Sequence, residues 1–120
     1  MKKILRRIVL VLAMAVVSVS LFACVPSNLE KAREKMAREG YTVTNIDASI
    51  FDGAEGGIMA TDVLDGDMVI AVRFESVKAA KQGLKDWDEL MSKLGKQGTA
   101  IRDGKWVYSG IGDGVEDFAD

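Results

Sequence analysis

The first 24 residues decide how much of this chain is left to form a folded domain. Basic residues occur only among the first seven positions of this stretch, a mostly apolar uncharged run covers residues 8–22, and Ala23 precedes Cys24. This three-part order is typical of a cleaved secretory leader. The apolar run is shorter than the ~20 residues with which a helix crosses a bilayer. We therefore expect residues 1–23 to be removed, which leaves 97 of the 120 residues for one domain with one modest core.

The end of the leader, Leu21-Phe22-Ala23-Cys24, resembles the lipobox of bacterial lipoproteins. The resemblance implies cleavage between Ala23 and Cys24 and lipidation of Cys24 with acyl chains such as palmitate. Two chains hold a protein firmly on a bilayer, whereas one chain is marginal. The resemblance also implies a location on the extracytoplasmic side of a cell membrane or an outer membrane. The alternative is an uncleaved N-terminal anchor in which Cys24 is unmodified.

Composition excludes several classes of function for the mature part. The chain has a net charge of −2, but four of its basic residues precede Cys24, so 12 basic and 18 acidic side chains remain. An acidic surface is repelled by phosphate backbones, and we expect no nucleic-acid partner. The chain has no histidine and a single cysteine, Cys24. This inventory excludes a disulfide framework, a cysteine nucleophile, a His-based triad and the usual zinc and copper sites.

Hydrophobic periodicity predicts one α+β domain over residues 28–120, joined to the lipid by a short tether at residues 24–27. Ser27 and Glu30 match a capping box and predict a helix over residues 28–39. Ser76 is placed to cap a second helix, in which apolar residues recur every three and four positions.

Five strands are predicted from β-branched and aromatic runs. Asp-Gly pairs at residues 65–66 and 103–104 are strong hairpin signals. The segment 47–57 has no clear period and is expected to be a loop, and residues 113–120 are compatible with an acidic helical turn. The predicted strands cover residues 41–44, 58–64, 68–74, 99–102 and 105–109.

The resulting order is α-β-ββ-α-ββ-(α), which predicts a two-layer sandwich. About five mostly antiparallel strands would carry the two main helices on one face. Alternation then sends Ile70, Val72 and Phe74 towards the helices and leaves the second face open. Residues 104–110, GKWVYSG, followed by an acidic helix, are similar to the end of many small uncharacterised cell-envelope domains. That resemblance bears on the fold and lends no activity.

The outward sheet face supplies the leading hypothesis for function. An exposed apolar patch there would mark a partner surface. Such a noncatalytic domain would bind an unknown protein or envelope component, or a second copy of itself. If Trp106 and Tyr108 point inward instead, they belong to the core. The candidate residues are Met59, Val63, Val69, Ala71, Trp106 and Tyr108.

Two other functions stay open. A small-ligand or cation-binding lipoprotein would use the 47–57 loop and the acidic turns. Asp62, Asp65 and Asp67 offer the oxygens that calcium takes, but their spacing does not match the EF-hand loop and suits a tight turn, so no metal site or cofactor is predicted. A hydrolase would need a carboxylate pair or an activated serine, and no Ser-x-x-Lys motif occurs. No catalytic residue is predicted.

Overall fold

A computed structural model describes residues 25–95 and 100–119 of the chain. The α+β class and the predicted order of elements are confirmed. Ala23 and Cys24 lie outside the described residues. The elements are α1 (Leu29–Arg38), β1 (Thr42–Ile46), β2 (Ala54–Asp62), β3 (Asp67–Phe74), α2 (Val77–Lys93), β4 (Ile101–Asp103), β5 (Trp106–Ile111) and α3 (Gly114–Ala119).

The five strands form one sheet in the order β1-β2-β3-β5-β4, and every neighbouring pair is antiparallel. Strands β2 and β3 form the predicted hairpin, and Gly66 in its turn has a positive φ of 71°. Strand β2 begins at Ala54, so part of the predicted 47–57 loop belongs to the sheet. A bulge between Ala54 and Gly56 interrupts the alternation there, which hid the strand from periodicity.

Both long helices begin at side-chain caps. The Ser76 hydroxyl accepts a hydrogen bond from the Ala79 N–H at 3.0 Å, as predicted for α2. Helix α1 is capped by Asn28, whose carbonyl oxygen accepts from the Lys31 N–H at 2.8 Å. The sequence prediction had placed this cap at Ser27. Asparagine and serine are equally good N-caps, so the choice between neighbours depends on backbone geometry.

The two main helices lie on opposite faces of the sheet, and this corrects the expected single helical layer. One face of the sheet packs against α1 and α3, and we call it the closed face. The other face packs against α2 alone, and we call it the open face. The cause is β3, the central strand, whose near-continuous apolar run must be buried on both sides. The closed face consists of Ile58, Ala60, Val69, Ala71, Trp106 and Tyr108, and the open face of Ile46, Ile70, Val72, Phe74 and Val107.

Helix α2 approaches the sheet most closely at Gly83. A Cβ atom at this position would overlap the ring of Phe74, which is fully buried on the open face. The glycine therefore lowers the intrinsic helix propensity of α2 but allows the helix to pack directly on the aromatic ring.

Candidate binding cleft

Four of the six residues of the predicted partner surface are buried in the structure. Val69, Ala71, Trp106 and Tyr108 are buried on the closed face, with at most 3% of any side chain exposed. Met59 is half-buried on the opposite side of the sheet, where it pairs with Ile70. Val63 is exposed in the β2–β3 turn. The structure thus separates the six residues into three locations, and the hypothesis of an apolar patch that contains them is wrong.

The short helix α3 contributes to this burial. Its Phe118 packs against both aromatic residues of β5, with ring centroids 5.1 Å from Trp106 and 5.0 Å from Tyr108. The neighbouring Asp117 is also buried and accepts a hydrogen bond from the Tyr41 hydroxyl at 2.6 Å. The acidic tail, which resembles a solvated turn in the sequence, therefore covers the closed face.

The open face is covered less completely, and an apolar cleft of about 220 Å³ remains between α2, the sheet and the segment that follows β1. Sheet residues form its floor, one side of α2 forms a wall, and residues 47–51 form the opposite wall. The lining residues are Ile46, Asp47, Ala48, Ile50, Phe51, Ile70, Val72, Trp87, Leu90 and Met91.

Phe51 positions the wall that is not helical. Its ring stacks on Trp87 with centroids 5.9 Å apart and meets the edge of Phe74 at 6.2 Å. The backbone of the same segment is folded by short-range hydrogen bonds, from the Phe51 N–H to the Ala48 carbonyl and from the Ala54 N–H to the Phe51 carbonyl. Aromatic stacking and local turns together hold residues 47–53 against α2.

The rim of the cleft is unusually apolar for a solvent-facing edge. The side chain of Ile50 is 73% exposed on one wall, and that of Leu90 is 42% exposed on the other. Leu94, one helical turn beyond Leu90, is exposed as well. On the floor, half-buried Ile70 continues the apolar surface to Met59 on the adjacent strand. Exposed apolar residues that are grouped around an opening mark a binding surface rather than random surface composition.

Charge at the cleft is negative and lies at its edge. Asp47 is the one charged residue among the described lining residues. Its pKa is lowered from the ordinary 3.8 because the backbone N–H and the hydroxyl of Ser49 donate hydrogen bonds to the carboxylate. Just outside lie Asp86 and Glu89, and Glu89 forms an exposed ion pair with Lys93 at 3.4 Å. The cleft holds no carboxylate pair of the kind that acid–base hydrolysis uses.

The acidic cluster of the β2–β3 turn lies elsewhere. The carboxylate oxygens of Asp62, Asp65 and Asp67 come within 4.8 Å of one another. Asp62 accepts a long hydrogen bond from the Asp65 N–H, and Asp67 accepts one from the Asp113 N–H at 2.7 Å. The second bond ties the turn to the segment before α3. These bonds are what a tight turn and a tertiary junction require, whether or not a cation binds.

A second, larger groove of about 510 Å³ runs along the start of α2. Its charged lining residues are of both signs, with Lys78, Lys81 and Lys85 on α2 and with Asp52 and Glu75 outside the helix. All five of these side chains are exposed. The apolar cleft is therefore the better-defined candidate site.

The comparisons with known proteins do not indicate a function for this chain. Comparison with models of known protein families, with curated proteins and with solved structures found no match. None of the helices that the structure describes has both the length and the apolar character of a membrane span.

Sequence reasoning missed the cleft because it assigned the apolar alternation of β3 to a single helical layer. Two signals were present in the chain. Residues 68–72 of β3 are apolar without interruption, which indicates a strand that is buried on both faces. Leu90 also lies in the last turn of α2 and Leu94 directly follows the helix, and both of these apolar side chains are exposed.

Proposed function

We propose that this chain is a lipid-anchored extracytoplasmic protein whose domain is a noncatalytic binding module, and that the binding site is the apolar cleft of the open face. The anchor rests on the leader and on the resemblance of residues 21–24 to a lipobox. The binding role rests on one structural observation, the cleft with its exposed apolar rim.

The size and charge of the cleft favour a protein or envelope partner over an enclosed small molecule. A volume of about 220 Å³ accommodates one or two apolar side chains, whereas small-molecule sites usually span about 300 to 1,000 Å³. Asp47 and Asp86 at the edge favour a partner whose apolar group is flanked by basic residues. Burial of the apolar group would supply the affinity, and the rim charges would supply orientation.

The anchor is tested by the intact mass of protein extracted from membranes, with Cys24→Ser beside the wild type. We expect a wild-type mass for residues 24–120 plus acyl chains, and loss of both processing and acylation in the variant. An unprocessed and unacylated wild-type mass would mean that the leader is a permanent anchor.

The cleft is tested by photo-crosslinking in the intact cell envelope. A photoreactive amino acid at Ile50 or Leu90 should give one discrete protein adduct, while the same residue at Leu64, which is 98% exposed in the β2–β3 turn, should not. Ile70→Phe, which fills the floor of the cleft, should abolish the adduct. The matched control is the same change at Ile101, Ile101→Phe, because this side chain of β4 is 43% exposed and lies outside the cleft lining. An adduct that forms equally from Leu64, or that survives Ile70→Phe, would contradict the proposal.

A small-ligand-binding lipoprotein is the second candidate, and the wall formed by residues 47–51 favours it. These residues come from the loop that the ligand hypothesis singled out, and they lie directly on the cleft. Native mass spectrometry of the detergent-extracted protein distinguishes the two functions. A bound molecule that is lost in Ile70→Phe and kept in Ile101→Phe would favour the ligand carrier, and an unliganded mass would favour the partner-binding module.

A further inference from the structure

The first described residues of the chain are part of the folded core. Val25 is half-buried against the cluster of the closed face, and Pro26 is buried. The Pro26 carbonyl accepts a buried hydrogen bond of 2.6 Å from the indole N–H of Trp106. The sequence suggested a tether at residues 24–27, but Pro26 is fixed on the domain.

Trp106, the donor of this bond, is itself immobilised. It is 1% exposed, and Phe118 packs against its ring. The Arg73 guanidinium lies 5.5 Å from the ring centroid and is paired with Glu55 at 3.3 Å. The attachment point of Pro26 is therefore a rigid part of the sheet and not a mobile side chain.

Because Pro26 is attached to the sheet, almost no free chain remains between the domain and the residue that would carry the acyl groups. Only Val25 stands between Pro26 and Cys24 in the chain, and a trans chain spans at most about 3.6 Å per residue. Acyl chains on Cys24 would therefore leave the domain beside the headgroups.

The attachment also selects one end of the sheet. Trp106 pairs with Arg73 near the end of β3, whereas Val63 and Leu64 precede the start of the same strand. We name the end formed by residues 25–28 and 103–106 the anchor end, and that formed by residues 62–67 and 112–117 the far end. Six residue steps along β3, from Asp67 to Arg73, separate them, about 20 Å at the usual rise per residue.

We infer that the anchor end lies against the lipid surface, and that the domain is held there in one orientation with the far end directed away from the bilayer. This inference rests on the lipid anchor proposed above. Its partner is the headgroup layer of the membrane in which the acyl chains sit. We call the Trp106–Pro26 bond the clamp, because it fixes the start of the domain to the sheet.

The distribution of charge supports the same orientation. The two segments of the far end contain only acidic charged residues, among them Asp62, Asp65 and Asp113. The anchor end contains one acidic and one basic residue, Asp103 and Lys105, and Lys105 is exposed beside Trp106. Anionic lipid surfaces repel carboxylates and attract lysine and arginine. The cleft opens on the face of the sheet opposite to Pro26, so the sheet separates it from the acyl chains.

The orientation is measured by energy transfer from a dye on the processed, acylated protein to headgroup-labelled acceptors in phosphatidylcholine vesicles. Cys24 is the only cysteine of the chain and is blocked by acylation, so an introduced cysteine is the single reactive thiol. The two labelled variants are Lys105→Cys at the anchor end and Val63→Cys at the far end, where the Val63 side chain is 87% exposed. We expect a severalfold higher transfer rate from position 105 than from position 63.

A matched control lengthens the attachment between Cys24 and the domain and leaves the Trp106–Pro26 bond in place. Ten Gly-Ser residues inserted between Cys24 and Val25 add a flexible reach of about 17 Å. With this spacer the two transfer rates should become equal. The intact mass of each sample is measured in parallel.

An acylated protein whose two positions transfer equally without the spacer would overturn the fixed orientation and leave the lipid anchor standing. Unequal transfer that persists with the spacer would also overturn it, because the orientation would then not depend on the short attachment. An unacylated mass would overturn both the anchor and the inference that rests on it.

Discussion

The closed and open faces of the sheet are built from similar residues but are covered to different extents by the rest of the chain. Each has an aromatic cluster, Trp106 with Phe118 and Tyr108 on the closed face, and Phe51 with Trp87 and Phe74 on the open face. The closed face is covered by two helices, and buried hydrogen bonds from Tyr41 and Trp106 fasten its edges. The open face has one helix and an opening lined by apolar side chains.

The difference separates stability from binding. On the closed face the aromatic residues Trp106, Tyr108 and Phe118 are all buried, so that face contributes mainly to the free energy of folding. On the open face Ile50 and Leu90 remain exposed to water, and covering them requires another molecule. Mutations of comparable chemistry on the two faces should therefore have different effects.

The largest expected contrast is between two phenylalanines. Phe118→Ala removes a fully buried ring from the closed face and should lower the free energy of unfolding by about 3 to 5 kcal/mol. Phe51→Ala removes a half-buried ring from the open face and should cost clearly less, because the site already borders the cleft. Urea unfolding, followed by the fluorescence of the two tryptophans, measures both. Equal losses would mean that the two faces do not differ in their contribution to stability.

The next effect concerns the polar fastening of the closed face. Tyr41→Phe removes a hydroxyl that donates to buried Asp117 at 2.6 Å. We expect a loss of about 1 to 3 kcal/mol, because the carboxylate loses a donor and stays desolvated. A double-mutant cycle with Asp117→Asn isolates the interaction. A coupling near zero in this cycle would show that the Tyr41–Asp117 bond does not help to hold α3 in place.

On the open face, Gly83→Ala tests how closely α2 must pack. Alanine should gain about 1 kcal/mol of helix propensity, but its Cβ atom would overlap the ring of Phe74. Overpacking of this kind usually costs about 1 to 3 kcal/mol, so a net loss is expected. Gln82→Ala, at an exposed neighbouring position on α2, is the control and should be nearly neutral. A more stable Gly83→Ala protein would show that the helix can move away from the sheet.

At the rim of the cleft, Ile50→Ser should change the free energy of unfolding by no more than about 0.5 kcal/mol, because the side chain is exposed. The same substitution should abolish the photo-crosslinks obtained from Leu90. A large loss of stability would mean that Ile50 belongs to the core and not to a binding surface.

The smallest effect is the pH dependence of Asp47. Its pKa is lowered in the folded protein, so its contribution to stability is present above the ordinary value of 3.8 and disappears as the pH falls through the lowered value. Asp47→Asn should remove this contribution, so that stability at neutral pH falls slightly and this part of the acid sensitivity disappears. An NMR titration of the carboxyl group checks the direction, and a pKa above 3.8 would contradict it.

Most of the fold could be predicted from local patterns. The caps, the Asp-Gly hairpins and the helical spacing in α2 each depend on residues that are close together in the chain. The candidate site could not be predicted in this way. Trp106 and Tyr108 share a strand face in any arrangement, but only the position of Phe118, ten residues or more along the chain, decides that this face is covered.

By itself the sequence determined the order of elements, the hairpin turns, the absence of histidine and thiol chemistry from the domain, and the resemblance of its leader to that of lipoproteins. Tertiary structure decided that α1 and α2 cover opposite faces, that Gly83 meets Phe74, that Pro26 is clamped by Trp106 and that a cleft stays open beside Ile50. The physical reason is that periodicity records which side chains share a face of one element, whereas the covering of that face is settled by packing between residues distant in the chain.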